Sequence, residues 1–367
     1  MVTRRTALKI AASGLVLPSL PACGTSASVA AYEEECRELW RHSPVTNAGM
    51  TAQQLDLVRY AVLAPSSHNT QCWQFLLGAA DIAIVPDLSR RCPAVDPDDH
   101  HLFVSLGCAT ENLVQAARAH GFDGHVQLAD VDGGAIRVAL ARAPAVRSTL
   151  FDAIPARQST RSAYDGQPLA RRELDLLAQA GRGAGVQLQL ITDRPGIERV
   201  LEAVVHANTV QLHDDAFRRE LTRWIRFNRE EARRTGDGLF SGASGSPSVP
   251  RWLGRLVLDL VMQPGRDGDK YAEQIRSSAG LAVFSSDRDD TAHRVEVGRC
   301  FQRFALQATA LDVRTAMINQ PVEVAAVRAG FATMLGLGTR RPDLVVRFGH
   351  GPLLPRSLRR PVTAVLG

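Results

Sequence analysis

Lysine is almost missing from this chain. Of 43 basic residues in 367, only Lys9 and Lys270 are lysine. Any anion site must therefore be built from guanidinium forks and not from ammonium point charges. The six cysteines (Cys23, Cys36, Cys72, Cys92, Cys108 and Cys300) include no CxxC pair, and their spacing fits neither a zinc ribbon nor a disulfide framework. With Cys23 set aside, five remain. They read as buried thiols acting as small apolar residues, or as one bridge with three left over. GxSxG and HExxH do not occur, and residues 336–343 (GLGTRRPD) lack the glycine spacing and lysine of a phosphate loop. Aromatic residues make up 5% and are not interleaved with a basic stripe, which argues against a nucleic-acid partner. No apolar run after the N-terminal segment reaches membrane length; residues 256–262 (LVLDLVM) fall far short.

What is present starts with residues 3–9, TRRTALK. Arg4 and Arg5 precede a short apolar stretch and then LPAC, ending at Cys23. This reads as a twin-arginine export signal over residues 1–23 with a lipobox-like site, Cys23 being the lipid-bearing residue. The alternative is a Sec-type signal that happens to hold two arginines. The expectation is export to the periplasm or cell envelope, with membrane contact only through the signal or a lipid anchor. Arg4, Arg5 and Lys9 leave with the signal, which takes the net charge of +5 to near +2.

The rest of the chain reads as one unit written twice. Residues 55–77 run helix, turn, strand, and residues 174–192 repeat that order, each helix opening on LDL. Residues 103–121 and 295–313 form a second matched pair of long helices with an early glycine, each followed by a strand candidate. Two matches in the same order predict a duplication, with halves at 24–150 and 151–367. A Gly-, Ser- and Pro-rich insertion, residues 236–254 and extending toward 270, predicts a mobile loop or lid.

Two segments carry candidate chemistry. Residues 64–75 (APSSHNTQCWQF) put short hydroxyl and amide side chains at a helix-to-strand turn, followed by Trp73 and Phe75. Such a rim can bind the polar edge of a flat heterocycle, or be only a polar turn. Residues 154–166 place Arg157, Ser159 and Arg161 in alternation, which suits a phosphate dianion or a solvated basic face. The tail adds Arg359 and Arg360 ahead of Pro361. Residues 96–101 (DPDDHH) read as an acidic helix start and not a metal site, because adjacent side chains diverge. His206 and His213 read as surface residues.

APSSxNxQxW, RxSxR and a terminal RRPV together resemble the nitroreductase family of FMN-binding oxidoreductases, and the fused halves look like its Acg-type branch. The resemblance implies an α+β sandwich of two tandem nitroreductase-like domains forming a pseudo-dimer, each a mixed or antiparallel sheet flanked by helices. It implies one FMN per chain, its phosphate on Arg157, Ser159, Arg161 and Arg359, with Arg360 a further candidate. Ser66, Ser67, Asn69 and Gln71 would meet the flavin, and the backbone of Ile318, Asn319 and Gln320 would lie near flavin N5. The residues of the two halves would complete a single site, so that a monomer imitates the family's dimer. Electron transfer would run to a small acceptor such as a nitroaromatic or quinone, with NAD(P)H an open question as donor. The alternative is a flavoprotein that sequesters FMN beneath the lid with little turnover.

Overall fold

A computed structural model describes residues 26–43, 49–128, 134–261 and 264–367. The expected signal, with Arg4, Arg5 and Cys23, lies outside the described residues. The first half opens with helices α1 (Ser26–Leu39) and α2 (Met50–Ala61), then strands β1 (Trp73–Leu77) and β2 (Asp81–Pro86). Helix α3 (His100–Ala119) follows, then β3 (Phe122–Leu128) and β4 (Ile136–Arg142). After α4 (Thr149–Ala153) the second half begins with α5 (Arg171–Ala180) and β5 (Val186–Ile191). Its other sheet strands are β8 (Gly280–Ser286), β9 (Arg314–Met317) and β10 (Arg341–Gly349), with α11 (Thr291–Ala310) after β8 and α12 (Gln320–Glu323) and α13 (Ala325–Met334) after β9.

The two sheets have the same order, position for position. The first runs β1-β2-β4-β3 and the second β5-β8-β10-β9, every pairing antiparallel. The difference lies in two connections: residues 318–340, with α12 and α13, separate β9 from β10 where residues 129–135 join β3 to β4, and the larger difference is between the first two strands. β1 and β2 are joined by a tight turn at residues 78–80, whereas residues 192–279 separate β5 from β8. That long connection holds α6 (Arg194–His213), α7 (Asp215–Trp224), β6 (Ile225–Arg226), α8 (Arg229–Thr235), β7 (Leu239–Phe240), α9 (Arg251–Val261) and α10 (Pro264–Arg276).

Helices α3 and α11 pack together at the centre. Both are 20 residues long, and a constant offset matches Gly107 with Gly298 and Val104 with Val295. The contact is reciprocal. A Cβ on Gly107 would lie 2.1 Å from the Val295 carbonyl oxygen, and one on Gly298 would lie 2.0 Å from that of Val104. This is the self-complementary contact of a two-fold interface, made within one chain. Nearly every residue of α3 is buried, which explains its weak amphipathicity. Its start is capped as its acidic run suggests: the Asp96 carboxylate accepts from the His101 and Leu102 amides at 3.0 and 2.9 Å. The main core joins both sheets through α2, α3 and α11.

The insertion is not the open loop its composition predicts. Leu239–Phe240 pairs in parallel with Ile225–Arg226, and Phe240 is 1% exposed, its ring 5.0 Å from Tyr32 of α1. A buried aromatic and two backbone pairings outweigh the freedom of the surrounding glycines and serines.

Candidate functional site

The first half contributes the turn between α2 and β1. Three non-glycine residues there adopt left-handed backbone, His68 (φ 49°), Asn69 (53°) and Gln71 (53°). Each costs on the order of 1 kcal/mol or more, and such clusters persist where surrounding contacts over-determine them. Those contacts are visible. The Ser66 hydroxyl accepts from the Gln71 amide at 2.9 Å. The Asn69 side chain donates to Gly238 O (3.0 Å) and Leu358 O (3.2 Å), and that of Gln71 donates to Gly236 O (2.8 Å). The turn is thereby fastened to both the insertion and the tail.

The second half contributes residues 154–161 and the tail. Ser159 bridges to Thr315 of β9, and the Thr160 amide donates to Thr315 O at 2.9 Å. The tail runs beside this segment, with Gln158 donating to Leu354 O (2.9 Å) and Arg356 to Ala156 O (3.2 Å). The pieces close around a cavity of about 60 Å³ whose wall includes Ser66, Asn69, Arg157, Ser159, Arg161 and Arg359, with Trp40 and Arg356. The guanidiniums of Arg356 and Arg359 lie 5.0 and 4.9 Å from the Trp40 ring centre.

The electrostatics are one-sided. Arg157, Arg161, Arg356 and Arg359 have no carboxylate partner among the described residues. Arg157 is 2% exposed, and its Nε and Nη1 have no hydrogen-bond acceptor. Its Nη2 donates to Leu63 O at 3.1 Å, while Arg359 donates to Val62 O (3.0 Å) and Ala64 O (3.2 Å). These carbonyls end α2, where the helix dipole favours cations. Burial, with Arg356 adding repulsion, lowers Arg157 to about 10; burial and Arg157 lower Arg359 to about 9. Both remain charged at neutral pH. A cluster of like charges, half-buried around a buried Arg157 that keeps two free N–H donors, is built for an anion from outside the chain.

A second cavity of about 460 Å³ shares Arg161 and Leu239 with the first. Its wall is largely apolar, with Leu221, Ile225, Phe227 and Val249, and carries Lys270, Tyr271, Gln274 and Arg347 as polar groups. The insertion supplies much of it through Ser241, Ser244, Ser246, Pro247 and Gly254. Arg347 is fully buried and donates to Thr160 O (3.2 Å) and Ser162 O (2.8 Å), with its guanidinium 4.1 Å from the Tyr164 ring centre.

Several expected residues line neither cavity. Gln71 is fully buried and accepts the Arg360 amide at 2.7 Å, so it holds the tail and lines neither cavity. Arg360 donates to Gln71 O and Ala364 O, away from the anion cavity. Ser67 lines neither cavity; its carbonyl accepts from the Thr70 amide. Ile318 is buried in the core, and the Asn319 side chain accepts from the Val345 amide at 2.9 Å. Gln320 begins α12. Ala316 and Met317, just before them, are what β9 presents to the large cavity. The sequence reading overlooked Arg356, three residues before Arg359 in the same basic tail, and Trp40, whose place beside it no local pattern announces. The five described cysteines are buried and free. His206 and His213 are exposed, as expected.

No protein-family model matches the chain. Over 327 residues it is 27% identical to two Mycobacterium tuberculosis proteins named as candidate NAD(P)H nitroreductases, covering 83% of this chain and 88% of theirs. Among solved structures it is similar to an FMN-dependent nitroreductase from Mycobacterium smegmatis in complex with NADPH (14% identity, TM-score 0.39, 59% of this chain and 96% of that one). It is also similar to a nitroreductase with bound FMN from Bacteroides fragilis (16% identity, TM-score 0.36, 58% and 95%).

Proposed function

We propose that this chain is an FMN-dependent oxidoreductase of the nitroreductase family and of its Acg-type branch, with tandem halves at 24–150 and 151–367 enclosing one cofactor. The observation that carries this reading is the uncompensated arginine cluster. Four guanidiniums without carboxylates surround a small polar cavity that adjoins a larger apolar one, which suits a phosphate joined to a flat ring system. The tuberculosis relatives' names, across most of the chain, support the same class.

Arg157, Ser159, Arg161, Arg356 and Arg359 would hold the phosphate, and Ser66 and Asn69 would contribute from the first half. FMN, when bound, supplies two-electron transfer between a reduced donor and an acceptor. The chain's part is to bind, orient and shield. Arg157 and Arg359 are locked on the carbonyls that end α2, so little side-chain entropy is lost when they meet an anion. The apolar wall of the large cavity excludes water, and the mature protein acts on a small acceptor of nitroaromatic or quinone type. Export by the twin-arginine route is part of the same proposal, because a site assembled from both halves needs folding and loading before transport. Lipid attachment at Cys23 completes this proposal, and the chain works as a monomeric pseudo-dimer.

A second reading is favoured by the insertion, which walls the large cavity and is pinned by Phe240. Under it the protein holds FMN without fast turnover. The mature chain, expressed with FMN and passed over gel filtration, is expected to carry a flavin absorption band at one FMN per chain. Colourless folded protein that takes up no added FMN rejects both readings. A loaded protein that fails to oxidise NAD(P)H or reduced FMN in the presence of a quinone selects the second.

A further inference from the structure

His68, Cys92 and Glu220 converge from three separate elements. Each offers one ligand atom, and the three atoms all lie within 4.8 Å of one another. His68 belongs to the strained turn after α2, Cys92 follows the short helical turn at Leu88–Arg90, and Glu220 projects from α7 of the long β5–β8 connection. We propose that these three residues form a divalent transition-metal site of the zinc class, clipping α7 of the β5–β8 connection to the turn that carries Ser66 and Asn69.

Four observations support it. The Nε2 atom of His68 is sealed from solvent and has no hydrogen-bond partner, although polar atoms in such positions are normally satisfied. Its backbone is held left-handed at φ 49°, so the ring is aimed at a conformational cost. Both Glu220 oxygens accept backbone amides, from Ala94 (3.0 Å) and Val95 (3.1 Å), which fixes the carboxylate while leaving lone pairs free. Such supporting bonds orient first ligands in metal sites. The charges also close: a thiolate and a carboxylate with a neutral imidazole balance a dication.

The donor set selects the metal. One imidazole nitrogen, one thiolate and one carboxylate suit Zn²⁺, or Co²⁺ in its place, and not the all-oxygen preference of Ca²⁺ or Mg²⁺. Ligand atoms around tetrahedral zinc stand about 3.5 Å apart, so a pair at the 4.8 Å bound draws in by about 1 Å on binding. Burial, followed by Arg161 and His101, lowers His68 to about 4, so the imidazole is neutral and ready to ligate. Burial and then Glu220 raise the Cys92 thiol, and Cys72, Asp96 and Glu323 add to that rise. The Asp96 and Glu220 carboxylates among these neighbours attract a cation. Binding displaces the thiol proton to solvent, one proton per metal.

The test is calorimetric titration of the mature, flavin-loaded chain with Zn²⁺, in two buffers of different ionisation enthalpy, and a Co²⁺ difference spectrum. The expected result is one Zn²⁺ per chain, about one proton released, and a thiolate-to-cobalt charge-transfer band. Cys92→Ser should remove the band and weaken Zn²⁺ by at least tenfold, His68→Ala should weaken Zn²⁺ similarly, and Cys36→Ser should leave both unchanged. No Zn²⁺ uptake by the unaltered chain overturns the proposal. So does uptake that Cys92→Ser and His68→Ala, each confirmed as folded by its melting curve, leave intact.

Discussion

Arg157→Met separates an anion site from a structural arginine, because the two roles predict opposite signs in the empty protein. Methionine keeps most of the length of the side chain and removes the charge. Burial, more than any neighbour, holds Arg157 at about 10, below its ordinary value of 12.5. That depression corresponds to about 3 kcal/mol of cost for keeping the guanidinium charged at neutral pH. Against it stands one hydrogen bond, to Leu63 O, worth about 1 kcal/mol. The Leu63 carbonyl keeps a second donor in Arg359 at 3.4 Å, so it is not orphaned by the change. The empty variant should therefore be more stable than the unaltered protein, by about 1–2 kcal/mol after some loss of packing.

The loaded protein should respond the other way. Arg157 offers two free donors, Nε and Nη1, to an incoming phosphate. Losing two charge-assisted bonds costs about 3 kcal/mol, roughly 100-fold in Kd. Melting curves with and without FMN, together with FMN titration by fluorescence quenching, read both numbers. The reasoning fails if the empty variant melts lower than the unaltered protein while FMN affinity is unchanged. That pair of results would make Arg157 a structural brace for α2.

Three further expectations follow from the same geometry. Gly107→Ala and Gly298→Ala each force a Cβ to about 2 Å from a carbonyl oxygen across the α3–α11 contact, so each should cost about 3 kcal/mol in urea unfolding, and the pair less than the sum. Phe240→Ala should cost about 3 kcal/mol and loosen the insertion, read as a lower Tm and faster loss of FMN on dilution; unchanged FMN release would separate the insertion from retention. Burial raises Asp343 to about 7 from an ordinary value of 3.8, so the folded state holds a proton that the unfolded chain has already released. Its stabilising share is present below about pH 4 and is lost as pH rises to about 7, at up to about 1.4 kcal/mol per pH unit, and Asp343→Asn should gain on the unaltered protein across that window; parallel urea stabilities at pH 5 and pH 7 would rule this out.

The repeat was legible because it rests on local periodicity. Two LDL helices and two alternating strands announce themselves within short windows, and the identical strand orders bear them out. The arginines of the 154–161 segment and Arg359 were legible as a chemical type, and the fold brings them together. Gln71 and Arg360 line neither cavity, because each is held by the other across nearly the whole chain: the Arg360 amide donates to the Gln71 side chain. The insertion misled because glycine and serine content reports local freedom, while Phe240 is fixed by Tyr32 far away in sequence. The metal-capable trio was invisible for the same reason, since its three members share no motif.

The duplication raises the question of why a two-fold fold should hold one anion site. The two corresponding corners supply the answer. Asn112 of α3 donates to Tyr60 O of α2, and its counterpart in α11, Arg303, donates to Ala180 O of α5. In the second corner the guanidiniums bring their own anions. Arg303 and Arg299 reach Glu111 at 2.9 and 3.2 Å, and Glu296 at 3.3 and 3.0 Å. Glu111 is 2% exposed, so these charges are neutralised inside the fold and nothing is left to attract a phosphate. In the first corner the arginines come from residues 154–161 and the tail, with no carboxylate facing them among the described residues. Glu111 of the first half and Glu296 of the second have thus sealed one corner, while the other corner, with no facing carboxylate among the described residues, stays open, which is why we propose a single cofactor per chain.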